Sequence, residues 1–109
     1  FISLQMLIQT KSSKPLNVTT SKILKNGVTV SWQRPFTTGK AKLLRYEVSF
    51  YRQSKPKEVR LTVKVSPYKL SAKISKLAVN MPYIVRVRAI TAAGTSSPST
   101  DVLFKTKKK

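Results

Sequence analysis

Apolar and polar residues alternate along most of this chain. In residues 83–89 apolar side chains occupy every second position, and Arg86 and Arg88 stand between them. Successive side chains of a β-strand point to opposite faces, so this segment predicts a strand with one face in the core and a cationic face outside. A single segment therefore predicts both buried core and charged surface.

The same period of two recurs in other short segments, and turn residues such as Gly27, Pro56 and Pro67 separate them. Short strands at near-regular spacing, with turns between them, are typical of a two-layer antiparallel sandwich. We predict seven strands. In chain order they are labelled A, B, C, C′, E, F and G and span residues 16–20, 28–33, 44–52, 59–65, 70–75, 83–91 and 100–106.

Length and composition favour one non-catalytic domain. The chain has 109 residues, of which 40% are hydrophobic, and this suits a single core. Histidine and cysteine are both absent, so the usual bases near neutral pH, thiol nucleophiles and thiolate metal ligands are missing. The three glycines are scattered singly and build no phosphate-binding loop. We therefore predict no enzyme activity, no cofactor and no metal, and no apolar run is long enough to predict a membrane-spanning helix.

Positive charge is the strongest compositional signal. The chain has 22 lysines and arginines against three acids, Glu47, Glu58 and Asp101, which gives a formal net charge of +19. Such a protein should attract polyanions and acidic partners. Each acid has basic neighbours that would hold it ionised and unsuited to acid–base catalysis.

Several local features together resemble those of the fibronectin type III family. Any one of them is common, but their order and spacing are specific, and the resemblance covers residues 14–106. The features are Trp32 with Pro35 after it, the Tyr-Glu-Val of residues 46–48, Leu77 six residues before Tyr83, and the Gly-Thr-Ser-Ser-Pro-Ser of residues 94–99.

The resemblance implies an all-β, seven-stranded antiparallel sandwich of the immunoglobulin-like type. It implies that Trp32 packs between the sheets, and that Tyr83 forms a tyrosine corner with the turn at Leu77. Tyr46 is predicted to be a core residue as well. The chain also departs from known members. It has no Arg-Gly-Asp between strands F and G and no Trp-Ser-x-Trp-Ser box, so integrin binding through that tripeptide and a cytokine-receptor role are not implied.

Three regions are predicted. Residues 14–106 form the domain, residues 107–109 form a basic tail, and residues 1–13 form an extension or linker. Within the extension, Ile2, Leu4, Met6 and Ile8 alternate with other residues, which favours an added strand. A helical stripe and the remnant of a signal peptide are the alternatives.

One face of the sandwich is predicted to bind a partner. In the resembling fold, strands C, C′, F and G form one sheet, and their outward positions carry most of the arginines. A guanidinium binds carboxylate, sulfate or phosphate through two contacts. Glu47 is expected to pair with an arginine across the strands, and Tyr51, Ile84 and Ile90 to point outward as part of an interface. The predicted binding residues are Arg45, Arg60, Lys64, Arg86, Arg88 and Lys105.

These observations favour a recognition or adhesion module of an extracellular or receptor-like protein. Its partner would be an acidic protein or a sulfated glycan, and Asn17 begins an Asn-x-Thr glycosylation sequon that favours secretion. One alternative is a structural subunit whose first nine residues pair with a neighbouring sheet. Another is a general polyanion or nucleic-acid binder, although no stacking platform of aromatic side chains is predicted. A further alternative is that the positive charge forms only a solvated, lysine-rich surface without a binding role.

Overall fold

The structure is a computed structural model and describes residues 11–108. The strand predicted for residues 2–8 lies outside the described residues, as does the last lysine of the basic tail. Within the described part, the chain consists of β-strands and connecting turns.

Eight strands of residues 11–108 form two antiparallel sheets, which confirms the all-β sandwich predicted from the sequence. The three-stranded sheet has the order β1-β2-β5, and the five-stranded sheet has the order β4-β3-β6, with β7 and β8 both paired to β6. The predicted strands C, C′, F and G correspond to β3, β4, β6 and β8. The bounds are β1 Leu16–Ser21, β2 Val28–Gln33, β3 Leu43–Arg52, β4 Val59–Val65, β5 Ser71–Ile74, β6 Pro82–Thr91, β7 Gly94–Thr95 and β8 Val102–Lys105.

The strand that the sequence did not predict is β7, a two-residue strand that precedes β8. Between β7 and β8, Ser96 and Ser99 replace a regular ladder against β6. The main-chain N–H of Ser96 donates to the Ala89 carbonyl at 2.9 Å, and its Oγ accepts from the Ala89 N–H at 2.9 Å. Ser99 makes the same two bonds, both 2.9 Å, with Val87. Buried serine hydroxyls thus satisfy main-chain groups that a continuous strand would otherwise pair.

The core lies between the sheets and is rich in aromatic rings. Trp32 and Tyr46 meet edge to face, with ring centroids 5.3 Å apart. Tyr83 stacks on Phe104 at 5.8 Å, and Phe50 presents its ring at nearly a right angle to both. Edge-to-face and offset-stacked pairs add stabilisation beyond the burial of their area. Burial also raises the pKa of Tyr46 above its ordinary value.

Strict alternation of buried and exposed residues fails at the start of β4. Val59 alternates with core residues in the sequence, yet it is 53% exposed. The β3–β4 register shifts between Phe50 and Tyr51, where Tyr51 pairs with Val59 and Arg60 has no opposite residue. A bulge of this kind moves the residues beyond it to the other face, so strict parity fails at this end of β4.

Candidate interaction surface

Four strands of the five-stranded sheet carry the predicted binding residues. Antiparallel pairing sets their neighbours, because side chains directly opposite each other share a face. The strands contribute Arg45 from β3, Arg60 and Lys64 from β4, Arg86 and Arg88 from β6, and Lys105 from β8.

Glu47 lies at the centre of a charged row across the sheet. It is directly opposite Lys64 on β4 and Arg88 on β6. Its carboxylate nevertheless accepts a hydrogen bond from Nε of Arg45, two residues away on the same strand, at 3.0 Å. The expected pair across the strands is therefore replaced by a pair along β3, and Lys64 and Arg88 form no ion pair with any carboxylate of the described residues.

Arg86 is the most constrained cation of this face. Its Nε and one terminal nitrogen donate to the two carboxylate oxygens of Asp101, at 2.5 and 3.0 Å. Its other terminal nitrogen donates to the Pro56 carbonyl at 2.9 Å. The guanidinium carbon lies 4.4 Å from the centre of the Tyr51 ring. Arg86 therefore fixes loops against the sheet, and an incoming anion would have to displace Asp101.

Tyr51 contacts the side chains of both Arg86 and Arg88. Burial alone would raise the pKa of its hydroxyl, but hydrogen bonding and positive charge from Arg88 and Arg86 together lower that pKa below its ordinary value. Arg88 donates to the Tyr51 hydroxyl oxygen at 3.4 Å. Half-buried Arg88 thus has a neutral hydrogen-bond partner, and it forms no ion pair among the described residues.

The sequence led us to expect that three outward apolar residues form an exposed interface, and this expectation is wrong. Tyr51, Ile84 and Ile90 are only 4%, 6% and 8% exposed. Ile84 lies between Tyr51 and Leu103 in the register, and the Arg86 guanidinium covers the Tyr51 ring. Long arginine side chains can bury apolar surface while their charged ends stay in water, which parity alone does not reveal.

The remaining two predicted residues lie apart from the central row. Lys105 is opposite Pro82 at the far end of β6, so about 20 Å of strand separates it from the level of Arg88. Arg60 is the extra residue of the β4 bulge, and both side chains are exposed. Four of the six predicted residues therefore lie around Glu47, and the other two, Arg60 and Lys105, lie apart from them.

All three carboxylates of the chain are already paired. Glu47 pairs with Arg45, Glu58 with Lys55 at 3.9 Å, and Asp101 with Arg86. The hydrogen bond from Arg86 lowers the pKa of Asp101. The sequence alone did not predict this role of Asp101. The available signal was that Asp101 is one of only three acidic residues in a chain of charge +19.

Comparison with known proteins decides the family. The model of the fibronectin type III domain matches residues 13–105. The chain belongs to the fibronectin type III family. Domains of this family are generally non-catalytic modules that mediate protein interactions. Within residues 11–108, no group of three or more acidic or other metal-ligating side chains is placed to hold a metal ion.

A relative and two solved structures resemble this fibronectin type III domain. Myosin-binding protein H of Gallus gallus is 35% identical over 89 residues, which are 81% of this chain and 16% of that protein. A structure titled "Myokine structure" is 28% identical with a TM-score of 0.71, covering 90% of this chain and 99% of that one. The FN5 domain of Drosophila Lar is 18% identical with a TM-score of 0.72, covering 88% and 97%. The chain thus spans a small part of the length of its curated relative.

The remaining predicted residues have scaffold positions in the fibronectin type III domain. Trp32, Tyr46, Leu77 and Tyr83 are all buried. The Tyr83 hydroxyl accepts a hydrogen bond from the Ala78 N–H at 2.9 Å, directly after Leu77. No helix in the described part of the chain is long and apolar enough to cross a membrane.

The predicted glycosylation position lies at an irregular point of the domain surface. Asn17 is exposed and has a φ of 49°, a left-handed conformation that asparagine tolerates better than most residues. The β1–β2 register shifts between Leu16 and Thr19, so Asn17 belongs to a bulge. Its amide nitrogen donates to the Gln33 side chain at 2.6 Å. A glycan on Asn17 would replace this surface hydrogen bond.

Proposed function

We propose that this fibronectin type III domain is a recognition module of a longer protein and binds an acidic protein partner through the outer face of its five-stranded sheet. The contacts would be made by Arg60, Lys64, Arg88 and Lys105. Arg45 and Arg86 serve this face differently, since each already holds a carboxylate of the same chain.

The observation that carries this proposal is that all three acidic side chains of the chain pair with other cations. Arg60, Lys64, Arg88 and Lys105 form no ion pair among the described residues, and every carboxylate is committed elsewhere. Uncompensated cations on a rigid sheet favour binding of negative charge and fast association with an acidic surface. Arg88 adds a guanidinium fork that a carboxylate can accept in two contacts.

The name of the relative supports a protein partner over a glycan. Myosin-binding protein H is named for a protein that it binds, and it is 35% identical to this chain over 89 residues. Myosin is therefore a suitable first probe for this domain. A sulfated glycan remains the rival ligand, because sulfate and carboxylate both suit a guanidinium fork.

The test compares binding of the whole chain to purified myosin, to heparin and to a cation exchanger. We expect sedimentation with myosin at physiological salt and a loss of binding of about tenfold for the Arg60→Glu and Lys105→Glu double variant. Binding to heparin beyond that to the exchanger, without binding to myosin, would replace the protein partner by a glycan. Equal elution from heparin and exchanger, together with no myosin binding, would overturn the proposal.

An extracellular location is a separate proposal, since the relative myosin-binding protein H is of the intracellular type and favours the opposite setting. Fibronectin type III domains are common in extracellular regions of proteins, and the exposed Asn17 sequon would be usable there. Expression through a secretory pathway, followed by mass analysis of the peptide containing Asn17, tests the site. Glycan on the wild type but not on Asn17→Gln would support the location; an unmodified Asn17 would count against it.

A further inference from the structure

A groove between the two sheet edges is a second cationic surface, which adjoins the face described above and shares Lys64 with it. β4 is the last strand of the five-stranded sheet, and β5 is the last strand of the three-stranded sheet. The chain passes directly from one to the other through residues 66–70, so both edges border the same side of the sandwich. A groove of about 730 Å³ opens along them.

Lysines line this groove, and no acid does. Lys22, Lys64, Lys69 and Lys73 border it, and all four are exposed. None of them forms an ion pair among the described residues. A neighbouring groove of about 460 Å³ shares Lys22 and Lys73 and extends the row to Lys107. The result is a continuous cationic track past β5.

The track also offers apolar contacts between its lysines. Val63 and Ala72 are half-buried in the first groove, and Leu70 is 41% exposed there. In the second groove Leu24 is 48% exposed. Such alternation of charge and apolar surface matches a ligand that carries both acidic and apolar side chains.

Some main-chain groups of β5 face the groove and have no hydrogen-bond partner within residues 11–108. The N–H of Trp32 donates to the Leu70 carbonyl at 2.9 Å, which fixes the pairing pattern between β2 and β5. Residues of an antiparallel strand alternate in the direction of their main-chain groups. Ser71 and Lys73, opposite Ser31 and Thr29, therefore turn their N–H and C=O groups away from β2. An exposed edge of this kind can accept another strand.

We propose that this groove binds an extended acidic segment of a partner protein, which adds to the edge of β5 as a further strand. Its carboxylates contact Lys22, Lys69 and Lys73, and its apolar side chains contact Leu70 and Val63. Main-chain pairing supplies affinity, and alternate side chains supply specificity, as in other cases of strand addition. A sulfated glycan satisfies the lysines but offers neither a strand's hydrogen-bonding ladder nor apolar side chains, so the groove favours a peptide.

The experiment uses a fluorescein-labelled peptide of four Glu-Val repeats and the whole chain at physiological salt, where charges on distant surfaces are largely screened. We expect Lys69→Glu with Lys73→Glu to weaken binding about tenfold. The matched control is Lys14→Glu with Lys57→Glu, which changes the net charge equally at two exposed lysines that border neither groove and should alter binding less than about twofold. Lys64 borders both surfaces and is left unchanged.

Amide hydrogen exchange tests the added strand itself. With saturating peptide, exchange should slow at the Ser71 and Lys73 amides, whereas the exposed Lys57 amide should be unaffected. Equal weakening by both variant pairs, or unchanged exchange at Ser71 and Lys73, would overturn the proposal. So would binding of a sulfated heparin octasaccharide but not of the peptide. Because Lys69 and Lys73 are not among the residues proposed to bind on the outer face of the five-stranded sheet, failure here leaves the function proposed for that face to be judged by its own test.

Discussion

Asp101 holds the guanidinium of Arg86 through two parallel hydrogen bonds, at 2.5 and 3.0 Å. Arg86 also reaches the Pro56 carbonyl at 2.9 Å, so one side chain joins two loops to strand β6. A bidentate arginine–carboxylate pair is stronger than a single contact between the same charges. Asp101 is 44% exposed in its side chain, however, and solvent screens much of this gain.

We expect Asp101→Asn to lower the free energy of unfolding by about 1 kcal/mol at pH 7. The lowered pKa of Asp101 means that folding favours the ionised carboxylate. This contribution is present above the ordinary aspartate pKa of about 3.9 and is lost as pH falls through the lower folded value. Urea denaturation from pH 7 to about pH 2 should therefore show wild type and variant converging in acid. A difference that stays constant over this range would contradict the assignment, and Glu58→Gln, in an exposed pair, is the control.

Tyr83→Phe should cost about 1 to 2 kcal/mol of unfolding free energy. The change keeps the ring stacked on Phe104 but removes the oxygen that accepts the Ala78 N–H. Thermal denaturation measures the loss, and Tyr68→Phe is the matched control because Tyr68 is 91% exposed. Equal effects of the two substitutions would show that the hydroxyl of Tyr83 has no special role.

Ser99→Ala should cost about 1 to 3 kcal/mol, because the buried Val87 N–H then lacks its acceptor. Ser97→Ala is the control, since Ser97 is exposed and offers only its main-chain carbonyl to Ser96. Chemical denaturation of both variants checks the difference. Hydrogen exchange at Val87 should also accelerate in Ser99→Ala; unchanged exchange there would refute this account.

Gly27→Ala should destabilise the domain by about 1 to 3 kcal/mol. A Cβ at this position would lie 2.5 Å from the main-chain carbonyl oxygen of Ile74, which the β2–β5 pairing holds in place. The exposed neighbour Lys25→Ala should leave the melting temperature nearly unchanged. If Gly27→Ala left the stability unchanged, the turn before β2 would have to be able to move away from β5.

The outer face of the five-stranded sheet illustrates how far alternation alone can predict a surface. Period-two patterning placed Arg86 and Arg88 outside and Val85 and Val87 inside, and both valines are fully buried. It could not predict that Arg86 would be committed to Asp101, since those residues are 15 positions apart and meet only when β8 pairs with β6. Nor could it predict the burial of Tyr51, because side-chain length and the position of the Arg86 guanidinium decide what covers a ring.

The sequence by itself determined the sandwich, its family, the strand pattern and the cationic excess, because these depend on residue order and local periodicity. Trp32 and Tyr83 were identifiable as core positions for the same reason. The tertiary structure decided which cations are free, where the strands bulge, and that β4 and β5 border one groove. Those features depend on contacts between segments distant in the chain, and a period of two carries no information about which distant segments meet.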